Sequence, residues 1–364
     1  MLFLDSSFFK KYFLPGFVFQ GVLIAGGYGT GRELVEYFMK YGPLGGLLAM
    51  FLVTLVMWSA TLVLSFEFSR KFRVYDYRTF LRKIMGPFWF VFEIFYFVLL
   101  IIVLGVVGSA AGIILRDNFG FPYFVGVMMM LLFIGFLTFK GTNLLEKFFS
   151  SWSILIYIVY GLFFIVAFLK FGTEIQENFS SHLILPSWAL GGFKYALYNI
   201  GVVPTVLFSL KHIETRKEAI FSGFLAGLIG ILPALLLYIA VLGDYPGVVA
   251  HEVPAIFVLQ KTRIPVLLIA FQIVLFGTLI QTGTGLIHAV NERIDSTLRE
   301  RGREFPNWQR PLIALLFLLM GLGVSSFGLI NLVAKGYGSI SWAIFIFYFV
   351  PLLTSGLYQI IKKS

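Results

Sequence analysis

The sequence predicts an all-α integral membrane protein, with ten transmembrane helices in a five-plus-five inverted repeat and helices 1 and 6 broken at mid-membrane. Three observations predict it. Of the 364 residues, 59% are hydrophobic and only 13% charged, against roughly 25% charged in a soluble domain, and the mean hydropathy is +0.91. Ten apolar segments follow one another, each about as long as or longer than the about 20 residues that a hydrocarbon core requires, and several exceed 25. The first and sixth are both interrupted near their midpoints, about half the chain apart.

The segments fall at 12–39, 44–68, 87–115, 121–139, 144–170, 188–210, 218–243, 264–291, 309–334 and 338–361. They form a single transmembrane domain, 1–364, divided into five-helix halves at 12–170 and 188–361. The polar start runs directly into a full-length span, so no cleavable leader is expected. The stretch 70–86 is basic and amphipathic and is expected along the inner surface. Within the outer loop 246–261, residues 253–259 read as a short helix or re-entrant piece.

Basic residues set the orientation. Of the 28 lysines and arginines, Lys40, Arg116, Lys170, Lys261, Arg263 and Lys335 fall on one side. Arg32 and Lys194 lie within segments, and the other twenty fall on the opposite side. That side is the cytoplasm and holds both termini. The net charge of +10 is therefore a topology signal, and no nucleic-acid partner is expected. The absence of cysteine excludes disulfides, thiolate metal sites and cysteine nucleophiles. The four histidines are scattered without metal-ligand spacing. No catalytic carboxylate pair, Ser/His arrangement or phosphate-binding Gly-Lys-Ser/Thr loop stands out, so an enzyme and an ATP-driven pump are disfavoured.

The first interruption is Gly26-Gly27-Tyr28-Gly29-Thr30-Gly31-Arg32-Glu33. Each glycine costs about 1 kcal/mol against alanine in a helix, and unwound backbone in a bilayer survives only where protein or a watery cavity covers it. Thr30 and Glu33 have the spacing of a capping box. The expected geometry is a helix ending at 25–27, a hinge, and a second half-helix from Gly31. The competing reading is a tight, glycine-lined helix crossing. In the sixth segment, Asn199 or Gly201 suits a left-handed helix end and Pro204 the first turn of the next helix. Corresponding broken segments in inverted halves point to a transporter's binding site.

The motif at 20–37, Gln-Gly-Val-Leu-Ile-Ala-Gly-Gly-Tyr-Gly-Thr-Gly-Arg-Glu-Leu-Val-Glu-Tyr, resembles the bacterial YkvI-type membrane proteins. The five-plus-five architecture resembles the LeuT fold of the amino acid–polyamine–organocation superfamily. The resemblance implies a bacterial or archaeal plasma membrane protein and a site between helices 1 and 6, walled by helices 3 and 8. It also implies a sodium site between helix 1, just before its break, and helix 8. Thr278, Thr282 and the carbonyls of Ala25 and Tyr28 match that sodium site in kind. The helix 1 motif departs from the Gly-Ser-Gly type of the amino-acid exchangers, and the resemblance names no substrate.

The candidate substrate-binding residues are Gly26, Gly27, Tyr28, Gly29, Thr30, Gly31, Arg32, Ser109, Tyr198, Asn199 and Gly201. Freed amides would take an anionic end of a substrate and freed carbonyls a cation. Arg32, Glu33, Glu36 and Lys194 are the intramembrane ions, which should pair or face water. Glu36 and Lys194 sit at matching depth, which predicts a cross-helix ion pair, structural or gating. Arg32 suits bidentate contact with a substrate carboxylate. Ser109 belongs to a small-residue face with Gly105, Gly108 and Gly112 that serves either close packing or substrate. The expected function is secondary transport of a small polar solute, an amino acid, amine or small organic acid. Sodium is the candidate coupling ion and no other cofactor is expected. Proton coupling, exchange and ligand sensing on a transporter scaffold are the alternatives.

Overall fold

The computed structural model describes residues 6–24, 26–139, 142–300, 302–306 and 308–362. Among them every regular element is helical. In order these are α1 Ser7–Tyr12, α2 Leu14–Leu23, the single turn Gly26–Gly29 and α3 Arg32–Tyr37. Then come α4 Pro43–Phe72, α5 Tyr77–Met85, α6 Trp89–Phe119, α7 Tyr123–Phe139 and α8 Thr142–Ser180. The second half has α9 Trp188–Ile200, a 3-10 stretch Val203–His212, α10 Arg216–Val241 and α11 Pro254–Thr262. It ends with α12 Pro265–Glu300, α13 Gln309–Ser325 and α14 Leu329–Lys362.

Among the described residues, six helices are long and apolar enough to cross a membrane, or seven when Trp188–Ile200 and Val203–His212, which meet at 59°, count as one span. The shorter apolar helices Leu14–Leu23, Tyr123–Thr138 and Gln309–Ser325 fall on the first, fourth and ninth apolar segments. The amphipathic stretch forms α5, opened by Asp76, whose carboxylate accepts from Thr79 N at 2.8 Å. Its apolar side, Tyr77, Phe80, Leu81 and Ile84, is buried. The short helix expected within 253–259 is α11, with Pro254 in its first turn.

Two boundaries differ from the sequence reading. The turn between the last two long helices lies at 326–328 and ends on Gly328, whose positive φ (+77°) favours glycine. Tyr337, read as loop, is consequently inside α14, within a π-helical stretch Leu332–Tyr337. In the sixth segment, Gly201 is right-handed (φ −57°, ψ −21°), not a left-handed end. Pro204 near the start of the 3-10 stretch sets the change of direction.

Packing places the interruptions at the centre. α2 lies against α10 and α12, and the turn Gly26–Gly29 lies against α6 and α12. α9 packs on α4 and α14. At the α4–α10 crossing, a Cβ on Gly223 would lie 2.6 Å from the Val63 N and Cα. Backbone cannot yield there as a flexible side chain would. Gly223→Ala should therefore destabilise by about 1–3 kcal/mol. Gly161→Ala, in α8 with nothing within 4 Å of the added Cβ, should be neutral or stabilising by up to about 1 kcal/mol. Thermal denaturation of the two purified variants checks the contrast.

Candidate functional site

The interruption in the first segment is satisfied largely from within. α2 ends at Leu23, and Ile24 leaves helical geometry (φ −76°, ψ 75°). The Thr30 hydroxyl lies 2.6 Å from Gly26 O and 3.0 Å from Gly27 O, so its one proton serves carbonyls that the break would orphan. Thr30 N donates to Gly26 O and Gly31 N to Tyr28 O. Gly31 takes φ +82° and is the N-cap of α3, a conformation that favours glycine.

The expected capping box is thus not formed. Thr30 N is already spent on Gly26 O, and Glu33 reaches elsewhere. A genuine capping box occurs at the start of α10, where Thr215 N donates to Glu218 Oε2 at 3.0 Å and Glu218 N to Thr215 Oγ1 at 3.2 Å.

Glu33 is 1% exposed. Its Oε2 accepts from the Tyr198 hydroxyl, which joins the first interruption to α9 just before the second. Its Oε1 has no hydrogen-bond partner and lies over Gly27, where a Cβ would come within 2.3 Å of it. Gly27 is therefore glycine because a carboxylate occupies the space of its side chain.

Four tyrosines surround this contact. Tyr198 stacks on Tyr337 (centroids 4.5 Å apart, planes at 14°) and meets Tyr195 edge-on at 5.6 Å. Tyr37 lies 5.8 Å from both Tyr195 and Tyr198, and its hydroxyl donates to Val333 O at 2.8 Å. The buried hydroxyls of Tyr195 and Tyr337 have no partner.

The other intramembrane ions are arranged differently from expectation. Glu36 pairs with Lys40 and, at 3.7 Å, with Arg32. It does not pair with Lys194, which makes no ion pair among the described residues; only its carbonyl is engaged, by Ser341 Oγ at 2.9 Å. Helix periodicity explains this. Positions 32, 36 and 40 form one stripe, while 33 and 37 form the neighbouring stripe that faces α9. Arg32 donates to Val249 O and His251 O, both at 3.0 Å, so it ties down the loop that precedes α11 and is not open to a substrate carboxylate. Ala255 N donates to Thr30 O at 3.1 Å, seating the start of α11 directly on the break.

The remaining candidates divide. Ser109 accepts from Tyr123 OH at 2.8 Å, and that hydroxyl also lies 2.8 Å from Ser325 O. With Gly105 against Val324 and Gly112 against Tyr123, the small-residue face of α6 packs on α7 and α13, so Ser109 is turned away from the break. Val106 faces the break instead, its carbonyl 3.0 Å from where a Gly26 Cβ would stand. Asn199 folds back onto Tyr195 O at 3.0 Å. Gly201 lies in close contact with Leu99 and Ile344. The Tyr28 hydroxyl donates to Gly230 O at 3.2 Å, and its carbonyl is taken by Gly31 N.

Along α12, Thr282 Oγ1 donates to Ile24 O at 2.9 Å, at the end of α2. Thr278 Oγ1 bonds back to Leu275 O at 2.6 Å and lies 3.6 Å from where a Gly29 Cβ would stand. Two hydroxyls and the Ile24 carbonyl thus line one side of the break, hard oxygen donors of the kind that sodium takes. Ala25 lies outside the described residues. Sequence reasoning missed Tyr37, Tyr195 and Tyr337, and also Gln20 and Gln281, whose buried amides have no partner. Polar side chains inside apolar segments were the available signal.

No family model matches the chain. Over 293 residues it is 23% identical to the uncharacterised membrane protein YkvI of Bacillus subtilis (strain 168), covering 78% of this chain and 80% of that one. A Na+-coupled sialic acid symporter, solved in a substrate-bound outward-open state, matches with TM-score 0.67 at 14% identity, covering 94% of this chain and 78% of that one. A manganese transporter of Eremococcus coleocola, solved with an aromatic bis-isothiourea substituted compound, matches with TM-score 0.59 at 18% identity, covering 96% and 79%. The chain has the fold of these LeuT-fold-like transporters.

The Glu33–Tyr198 contact predicts a coupled pair. Tyr198→Phe should lower stability by about 0.5–3 kcal/mol, the range that spans hydrogen bonds to neutral and charged groups. Glu33→Gln combined with it should cost less than the sum of the single losses. Strict additivity in denaturation of the four proteins would contradict the contact.

Proposed function

We propose that this protein is a secondary transporter of a small polar solute, coupled to sodium, that works by alternating access around the two interruptions. The ten segments are read as two inverted five-helix halves in a bacterial or archaeal plasma membrane, with both termini cytoplasmic. The observation that carries the reading is the buried Glu33–Tyr198 contact, which links the break in one span to the bend in the other. A membrane protein has little structural reason to place a carboxylate and interrupted backbone together at this depth. A transporter has a functional one, because such a junction can open to either side.

In this state the outer route is covered. Arg32 holds 249 and 251, and α11 sits on Thr30. Opening outward requires these contacts to break together. Sodium coupling is supported by Thr282 and Thr278 beside Ile24 and Gly29. Sodium bound there would join the α2 end to α12 and so favour one arrangement of the break. Proton coupling is the second reading, favoured by Glu33, a buried carboxyl with no cationic partner among the described residues.

The test is uptake into proteoliposomes across a panel of amino acids, amines and small organic acids, with sodium or potassium outside. Thermal stability runs in parallel, since a ligand at a hundred times its Kd adds about 2.7 kcal/mol. Sodium-dependent uptake of one solute class is the expected result. Thr282→Ala should raise the sodium concentration for half-maximal uptake by about tenfold or more. Uptake that is indifferent to sodium in the unaltered protein would remove sodium coupling and leave the proton reading.

A further inference from the structure

Glu33 is left without a counter-charge. The neighbouring Arg32 is turned to the outer loop carbonyls and Glu36, and no lysine, arginine or histidine pairs with Glu33 among the described residues. Its side-chain hydrogen bond comes from a phenol, and the Tyr28 backbone is its other neutral neighbour. A carboxylate taken this far from water is strongly disfavoured unless a cation or a proton meets it. Its surroundings are aromatic. Tyr195 and Tyr337 are fully buried, Tyr37 and Tyr198 nearly so, and their rings contact one another at 4.5–5.8 Å between centroids. The hydroxyls of Tyr195 and Tyr337 are buried and unpartnered.

Resting on the transporter reading, we propose that the solute is a small organic ammonium ion whose nitrogen is held by Glu33 and the faces and hydroxyl oxygens of Tyr195, Tyr198 and Tyr337. A carboxylate, π faces and phenol oxygens together are the chemistry that attracts an ammonium group. An anionic solute would be repelled by Glu33, and a neutral one would leave its charge unanswered. Sodium takes oxygen donors and has its own set on Thr278, Thr282 and Ile24. The rings are in contact in this state, so the cation enters by displacing the Tyr198 hydroxyl from Glu33 and parting Tyr198 from Tyr337. That requirement keeps the solute small. The glycine at 27 leaves the space that Oε1 occupies.

The test measures affinity of the full-length protein in sodium by thermal stabilisation and proteoliposome uptake. The cationic probes are methylammonium, ethanolamine and choline, the neutral probe is ethylene glycol and the anionic probe is glycolate. At least one cation should bind, and the neutral and anionic probes should not. Glu33→Gln should weaken that cation at least tenfold, with Glu33→Asp recovering part of the loss. Tyr337→Leu should weaken it by about 2- to 30-fold, and Tyr337→Phe, which keeps the ring, by less. The Asp and Phe variants keep the proposal testable if Glu33→Gln does not fold. Uptake of glycolate, ethylene glycol or a zwitterionic amino acid without any cation overturns the proposal and leaves the transporter reading standing. Unchanged cation affinity in Glu33→Gln, with loss of the pH dependence of uptake, overturns it in favour of a proton carrier. No uptake of any solute across the wider panel overturns both readings.

Discussion

Interrupting a helix inside a bilayer leaves amides and carbonyls with no water to satisfy them, and the rest of this structure follows from how 24–31 meets that constraint. The Thr30 hydroxyl serves two carbonyls of the single turn. Thr282 from α12 serves the carbonyl at the end of α2. Ala255 N from the outer loop serves Thr30 O. Each satisfier comes from a different part of the chain, so the break cannot change shape without moving α12 or the outer loop. A local conformational demand is thereby converted into contact between distant elements. This is the property that alternating access requires of its hinge.

The side chains at the break follow the same logic. Arg32, Glu36 and Lys40 share one stripe of the half-helix and its continuation, and they answer one another and the outer loop. Glu33 and Tyr37 share the adjacent stripe and face the tyrosines of α9 and α14. The half-helix thus carries two separate sets of contacts, ionic and loop-directed on one stripe and a carboxylate among tyrosines on the other. Gly27 and Gly31 serve for two different reasons, room for the Glu33 carboxyl and a positive φ.

Much of the fold was legible because bilayer physics is restrictive. Apolar length, glycine and proline inside it, and lysine and arginine outside it are coarse signals that few alternatives produce. The positions of both interruptions, the amphipathic helix after α4 and the short helix before α12 were all read from them. The site was less legible because it depends on helix rotation. Glu33 and Glu36 are close neighbours in sequence, and which one faces α9 turns on the rotation of a half-helix that begins only at Arg32. The same uncertainty turned Ser109 toward Tyr123 and left Val106 facing the break. Thr30 looked like a cap because its spacing to Glu33 fits one. The turn Gly26–Gly29, too short to foresee, took its amide first. Tyr337 was hidden by a boundary error, since its helix starts at Leu329, well before the hydropathy suggested.

The central claim is that the junction between the two interrupted spans faces one side of the membrane at a time. The chain contains no cysteine, so a single one can be introduced at Val202, which is 5% exposed in the bend after α9, and labelled with a membrane-impermeant thiol reagent from either face. The account predicts labelling from one face only under a given condition, with the accessible face changing when sodium or a bound solute is added. Labelling from both faces at once would indicate a continuous pore, and labelling from neither under any condition would indicate a static core; either result contradicts the account.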